Sequence, residues 1–406
     1  MLSTRLSEAE TAVLHDTYRH LHRTPELSMQ EHRTAEFIER RLDELGIEHF
    51  RCGGTGVVGI LRNGDGPIVA FRADTDGLPI AEDTGAEYAS TATGTLPDGT
   101  VVPVMHGCGH DTHVAAALGA VAAIVGQPEA WSGTIIWLFQ PGEETAAGAA
   151  AMVADGLWDR VPRPEVVLGQ HVIPFVPAGS AGIAVGDAMA MADSLRVTVF
   201  GRQSHGSQPQ DSIDPIVIGA HMVTRLQTIV SRELPPQSPA VVTCGTFHAG
   251  LKENIIPDRA EFTLNIRTLS EETRGRVLAA VTRIVKAEAD AAGAPRPSIE
   301  ELYRFPLLHN DPGHSARVGA ALRAELGEDG VMTIPPAMGS EDFGWLAQAI
   351  GVPNVYWVFG AYSPEADPDA KPRAMNHSPF FLPEIEPTLG TGVRAAIAAI
   401  GAYVAV

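Results

Sequence analysis

The chain has 406 residues, 45% of them hydrophobic and 19% charged, and a formal net charge of −20. That balance excludes nucleic acid as a partner, since clustered Lys and Arg are absent, and disfavours anionic membrane surfaces. It leaves room for an anionic small molecule in a locally positive site, and the length predicts two domains.

In chain order, the start "MLSTRLSEAETAV" has no basic segment followed by an apolar core, so no secretory leader is expected. No run approaches the roughly 18 apolar residues of a membrane span. "SEAETAVLHDTYRHLHRTPELS" carries apolar residues at helical spacing until Pro25. Ser28 and Glu31 then read as a capping box for "EHRTAEFIERRLDEL", a helix ended by Gly46. Strand-like runs follow at 57–61, 67–74, 134–140 and 165–172, with a helical stretch at 114–125 between them. Apolar strands alternating with helices predict an α/β sheet covered on both faces.

Near residue 190 the pattern changes to half-exposed alternation in "DSLRVTVFG". An amphipathic helix follows, with Pro215 in its first turn and Ile216, Ala220, Val223 and Val230 read as its buried side. Two alternating strands, a helix from Ser270 to Gly293 and the strand "PSIEELYRF" complete a β-α-β-β-α-β order. That order is the ferredoxin-like unit. It implies residues 1–189 and 305–406 as two parts of one larger domain, with 190–304, about 115 residues, inserted as a separate unit. Cys52, Cys108 and Cys244 make no disulfide framework, which points to a reducing cytoplasm.

Chemistry concentrates in "MHGCGHDTH", Met105 to His113. Cys108 and His110 sit on a turn at a helix entrance. With no second cysteine pair nearby, a structural zinc finger is disfavoured, and a Cys108 nucleophile activated by histidine stays open. "FQPGEETAAG" places Glu143 and Glu144 on a loop beyond a strand, pointing to different sides. His171 ends an apolar strand and His377 lies in the loop "MNHSPFF". Together Cys108, His110, Glu144, His171 and His377 suit two divalent cations sharing one thiolate, with Glu143 remaining as a base. Asp74 and Asp76, ending "VAFRADTD", read as partners that orient a ligand histidine.

The segments "LHRTPELSMQEHRTAEFI", "AFRADTDGLPI", "MHGCGHDTHVAAALGA", "FQPGEE", "GRQSHGSQP", "ENIIPDRAEFTLNIR", "GSEDFGWL" and "NHSPFFLP" resemble the metal-dependent aminoacylase and carboxypeptidase family. The likeness is to its amidohydrolase branch, which contains hippurate hydrolase, bacterial N-acyl-amino-acid amidohydrolases and plant auxin-conjugate hydrolases. Where the carboxypeptidase branch has His-x-Asp, this chain reads Arg72-Ala73-Asp74, and its bridging position is Cys108.

The resemblance implies a zinc-peptidase-like α/β catalytic domain, a mixed sheet flanked by helices, with an inserted ferredoxin-like lid and dimerisation domain. It implies two divalent metal ions, Zn or Mn with Co or Ni as alternatives. Glu144 and His377 would serve one ion, His110 and His171 the other, with Cys108 as the bridge. It further implies Glu143 as general base and acid, His205 as oxyanion stabiliser reaching a neighbouring subunit, and Arg267 with Asn254 as the grip on a substrate carboxylate. Gly339 and Ser340, read as the start of a helix with acidic first-turn residues, offer backbone N–H groups to the same carboxylate. The expected activity is hydrolysis of the amide of an N-acyl amino acid by a homodimer. A dipeptidase or carboxypeptidase on the same site, and a non-catalytic metal- or ligand-binding protein, are the alternatives.

Overall fold

The structure is a computed structural model that describes residues 2–364 and 373–406. The chain forms two compact units: Met1–Ala188 with His309–Pro335 and Asp342–Val406, and Met189–Leu308 with Pro336–Glu341. Among the described residues no helix is long and apolar enough to cross a membrane.

The first unit is built on an eight-stranded mixed sheet. Its strands run in the order Glu48–Cys52, Gly56–Asn63, Gly133–Gln140, Ile68–Asp74, Val166–Pro177, Asn354–Tyr362, Ala181–Ile183 and Val331–Thr333. The four central strands, Gly133–Gln140 to Asn354–Tyr362, are parallel, and nearly every residue in them is buried. Such strands read as continuous apolar runs because both faces are covered. The helix His110–Val125 packs between Glu8–Arg23 and Thr388–Val404, and Pro312–Leu326 lies beyond the last. His110–Val125 is buried on nearly all sides, hence its Ala-rich composition. Trp137, Trp357 and Phe71 fill the core. Asp74 and Gln140 are the last residues of two parallel strands, the end of an open α/β sheet where ligands bind.

The second unit follows the order strand Met191–Phe200, helix Pro215–Leu226, strands Ala240–Ala249 and Arg259–Thr268, helix Glu271–Ala291 and strand Ser298–Phe305. Its sheet is antiparallel, with Arg259–Thr268 and Met191–Phe200 in the middle. Val197, Phe262, Leu264 and Ile266 bury against Met222, Leu226, Val281 and Ile284. Residues 336–341, assigned from sequence to the catalytic domain, group with this unit.

Two local expectations are overturned. The helix Pro215–Leu226 buries Ile218, Met222 and Leu226, while Ile216 and, beyond the helix, Val230 are exposed. With Ile216, Val217 and Ile218 consecutive, apolar spacing alone does not select the phase; packing on the sheet does. The helix His32–Glu44 has Glu31 at its N-cap, yet Glu31 makes no capping bond, and the Glu26 carboxylate accepts the first-turn N–H groups of Arg33 and Thr34 at 3.2 and 2.8 Å. Ser28 Oγ instead donates to Asp76 Oδ2 at 2.6 Å, and Glu31 accepts the Gly142 N–H at 2.8 Å. Both side chains are drawn to partners distant in sequence.

Candidate metal centre

Cys108 and His110 flank Gly109, whose left-handed φ of 83° turns the chain into the helix His110–Val125. A Cβ at Gly109 would meet Val172 Cγ1 at 2.4 Å, so the approach needs glycine. Glu143 and Glu144 lie on the short turn Glu143–Thr145, between left-handed Gly142 and Ala146. His171 comes from the strand Val166–Pro177 and His377 from the C-terminal loop, where its N–H donates to Gly107 O at 2.7 Å.

These residues gather. One donor atom each from Cys108, Glu144 and His377 lies within 4.8 Å of the others, as do those of His110, Glu143 and Glu144. Cys108 Sγ is 3.4 Å from His171 Nε2. Glu144 Oε1 is 3.9 Å from His110 Nε2 and 3.5 Å from His377 Nε2.

Hydrogen bonds set the histidine tautomers. His110 Nδ1 donates to the Asp76 carbonyl at 2.9 Å and to Asp76 Oδ1 at 3.1 Å, leaving a lone pair on Nε2. His171 Nδ1 donates to Val172 O at 2.7 Å, which also frees Nε2. His113 is different. Its Nδ1 donates to Asp74 and its Nε2 accepts the Val172 N–H at 2.8 Å, so both nitrogens are engaged and no lone pair remains for a cation. Desolvation lowers its pKa, consistent with a neutral ring. His106 Nδ1 donates to Asp76 O at 3.2 Å, and burial brings its pKa down to about 4.

The donor set fits divalent cations on two observations. Among the described residues, His110 Nε2 and Glu144 Oε1 are buried without a hydrogen-bond partner, a state native proteins avoid. The mixture of thiol, imidazole and carboxylate suits Zn²⁺ and Mn²⁺. Burial and the carboxylates of Glu144, Glu143 and Asp74 push the Cys108 thiol well up, so it needs cations beside it to ionise.

Asp74 and Asp76 divide the labour that the sequence left undivided. Asp76 orients His110 and accepts the Glu144 N–H at 3.0 Å. Asp74 holds His113 and takes Arg72 Nη1 at 2.7 Å. Arg72, fully buried, also donates from Nε to Gln140 at 2.9 Å and from Nη2 to Asp342 at 3.3 Å. Sequence reasoning noted Arg72 only as a missing histidine, and it missed Asn376, whose Nδ2 donates to Cys108 O at 3.1 Å. Adjacency to His377 was the available signal for Asn376.

His22 was also passed over. Nδ1 reaches Asp111 Oδ2 at 2.6 Å and Nε2 reaches Glu82 Oε1 at 3.0 Å. Both acceptors are carboxylates, so both nitrogens carry protons and the ring is cationic. Burial alone would lower its pKa, but Asp111 and Glu82 outweigh it and raise it from 6.5 to about 9. A raised pKa stabilises the fold fully below about pH 6.5, and the gain is lost as pH rises through about 9. The shift corresponds to about 3 kcal/mol. We expect the thermal midpoint of the wild type to fall between pH 7 and 10 toward that of His22→Gln; a constant gap between the two would refute it.

The remaining candidates lie in the second unit. Arg267 Nε donates to Asn265 Oδ1 at 2.9 Å, and its Nη1 donates to Met338 O at 2.8 Å and Ser340 Oγ at 3.3 Å. Ser340 caps no helix: the helix there is Gly344–Gln348, with Phe343 at its N-cap and no side-chain bond. The Ser340 hydroxyl is taken by Arg267, and the Asp342 carboxylate by Arg72, Gln140 and the Ala149 N–H. Gly339 O accepts the Ala190 N–H at 2.9 Å. His205 is exposed, with Nδ1 2.7 Å from Ser207 Oγ, and Asn254 O accepts the neighbouring Gly206 N–H at 2.8 Å.

The chain matches the model of peptidase family M20/M25/M40 over residues 70–400. It is 35% identical to thermostable carboxypeptidase 2 of Saccharolobus solfataricus, with 84% of each chain covered. It is 37% identical to the N-acyl-L-amino acid amidohydrolase of Geobacillus stearothermophilus, with 75% of this chain and 80% of that protein covered. The crystal structure of the Bacillus subtilis YXEP protein, described as a dinuclear metal binding peptidase, superposes with a TM-score of 0.75 at 29% identity, covering 97% of this chain and 99% of that one. The chain belongs to the M20/M25/M40 peptidase family, with its mixed sheet flanked by helices. It is a metal-dependent amide hydrolase.

Proposed function

We propose that the protein hydrolyses the amide of N-acyl amino acids, hippurate-like conjugates among them, to a carboxylic acid and a free amino acid. The observation that carries this reading is the gathering of Cys108, His110, Glu144, His171 and His377 with Glu143 beside them. These five would hold two divalent cations, as the dinuclear description of the Bacillus relative supports. Cys108 would lie between the two, with Glu144 and His377 toward one and His110 and His171 toward the other. Zn²⁺ or Mn²⁺ is the expected occupant, with Co²⁺ and Ni²⁺ also compatible.

When bound, the cations supply a water whose pKa is lowered to roughly 7 and withdraw charge from the amide carbonyl. Glu143 takes a proton from the attacking water and returns it to the leaving nitrogen. Its burial among the donor residues supports that role. His205 stabilises the developing oxyanion, and its exposure supports a role toward a neighbouring subunit. Arg267 grips the substrate carboxylate, aided by Asn254, Gly339 and Ser340. Its Nη2 has no hydrogen bond among the described residues, which leaves one nitrogen for a carboxylate oxygen, while Nε and Nη1 are held by Asn265, Met338 and Ser340.

A homodimer through the second unit is supported by the edge strand Ala240–Ala249, which among the described residues pairs on one side only and exposes Val241 and Phe247. Ile216 and Val217 on the helix Pro215–Leu226 are exposed as well. Three free cysteines support the cytoplasm as its compartment.

Turnover of benzoylglycine well above that of an unblocked dipeptide, by protein reconstituted with Zn²⁺ or Mn²⁺, is the deciding measurement. The reverse preference would favour a dipeptidase or carboxypeptidase, the reading that the Saccharolobus relative's name supports. Chelation should abolish activity before mild alkylation does. Activity that survives chelation and dies with alkylation would instead identify Cys108 as a nucleophile.

A further inference from the structure

We propose that Glu31 is a positioning residue that holds the turn carrying Glu143 and Glu144; the inference rests on the roles proposed for those two residues. Glu31 is fully buried. One carboxylate oxygen accepts both the Gly142 N–H and the Met29 N–H at 2.8 Å, and the other accepts the Thr55 hydroxyl. The two backbone donors are unusual. Met29 has a φ of 62° and Gly142 a φ of 57°, so two left-handed residues face each other across a single oxygen. Their fit is close, since a Cβ on Gly142 would lie 2.5 Å from Met29 Sδ.

The turn is anchored a second time two residues on. Glu144 N donates to Asp76 Oδ2 at 3.0 Å, and the same oxygen accepts Ser28 Oγ at 2.6 Å. The segment from Ser28 to Glu31 thus reaches the turn at Gly142 directly and at Glu144 through Asp76. Inside the turn, Ala146 N donates to Glu143 O at 2.8 Å, and Ala146 is again left-handed, with φ 57°. Ala147 N and Gly148 N close the turn onto Gly142 O, both at 3.1 Å, but these bonds do not place it in the molecule, and a left-handed Ala146 persists only when its surroundings over-determine it. Without the Glu31 acceptor, the buried Gly142 N–H and the half-buried Met29 N–H would lose their partner, and the turn would relax. Displacement by about 1 Å at reacting groups costs on the order of 10²-fold in rate.

The test compares Glu31→Ala, Glu31→Asp, Glu31→Gln and Thr55→Val by kinetics and by Mn²⁺ titration of the metal-free protein in a calorimeter. Glu31→Ala should lower kcat about 10- to 100-fold with KM little changed, and weaken Mn²⁺ binding by about 10- to 100-fold. Glu31→Asp, too short to reach Gly142, should move both readouts the same way if the alanine variant does not fold. Glu31→Gln should restore both, because its amide oxygen accepts the same two N–H groups and its NH₂ can donate to Thr55. Thr55→Val should lower thermal stability and leave both unchanged.

Wild-type kcat and Mn²⁺ affinity in a folded alanine or aspartate variant would overturn the proposal. So would losses in Thr55→Val matching those of the Glu31 variants, since the effect would then be general loosening. Glu143→Gln, run in parallel, separates the two levels. Full activity there removes the role on which this inference rests, whereas an inactive Glu143→Gln beside an unaffected Glu31→Asp removes the inference alone.

Discussion

Glu143→Gln should retain both metal ions and lose at least about 10²-fold in kcat, the usual contribution of a positioned general base. The substitution changes one atom and keeps the shape of a buried side chain, so the fold and the neighbouring donors are left in place. Glu144, which lies in donor clusters both with Cys108 and His377 and with His110 and Glu143, is the proposed ligand of the two, and its removal should release metal. Steady-state kinetics on benzoylglycine beside elemental analysis of the protein distinguishes the two. Near-normal turnover in Glu143→Gln would refute the assignment.

Arg72→Met is expected to destabilise the first unit by about 3–5 kcal/mol, the cost of stranding a buried charge. Arg72, Asp74 and Asp342 are all inaccessible to solvent, and one guanidinium serves both carboxylates. Methionine matches the length of the aliphatic stem but supplies no donor. Asp74 would keep His113, and Asp342 the Gln140 and Ala149 donors, but both would lose the cation they share, and burial would force protonation or local opening. The shift in urea midpoint measures the effect, and a loss below about 1 kcal/mol would mean that the network carries little energy. Because Asp74 also holds His113, which in turn accepts the Val172 N–H, His171 should be displaced as well. Metal affinity is expected to fall along with stability.

The sequence by itself determined the two kinds of architecture and the candidate donors. Buried parallel strands are continuous apolar runs and half-exposed strands alternate, so the change of pattern near residue 190 was visible without coordinates. Cys108, His110, Glu143, Glu144, His171 and His377 stood out because such residues interrupt an Ala- and Gly-rich or apolar background, and the resemblance supplied their proposed roles. The tertiary structure alone decided which polar side chain meets which. Ser28 and Glu31 have capping-box spacing, and Ser340 precedes acidic residues as helix caps do. Local spacing rewards the near partner, yet in the folded chain Gly142 and Thr55 offer Glu31 buried bonds, and Asp76 and Arg267 offer Ser28 and Ser340 half-buried ones. The same holds for His22, Arg72 and His113, whose partners lie up to 270 residues away. A buried hydrogen bond between residues so far apart in the chain leaves no periodic trace in either segment.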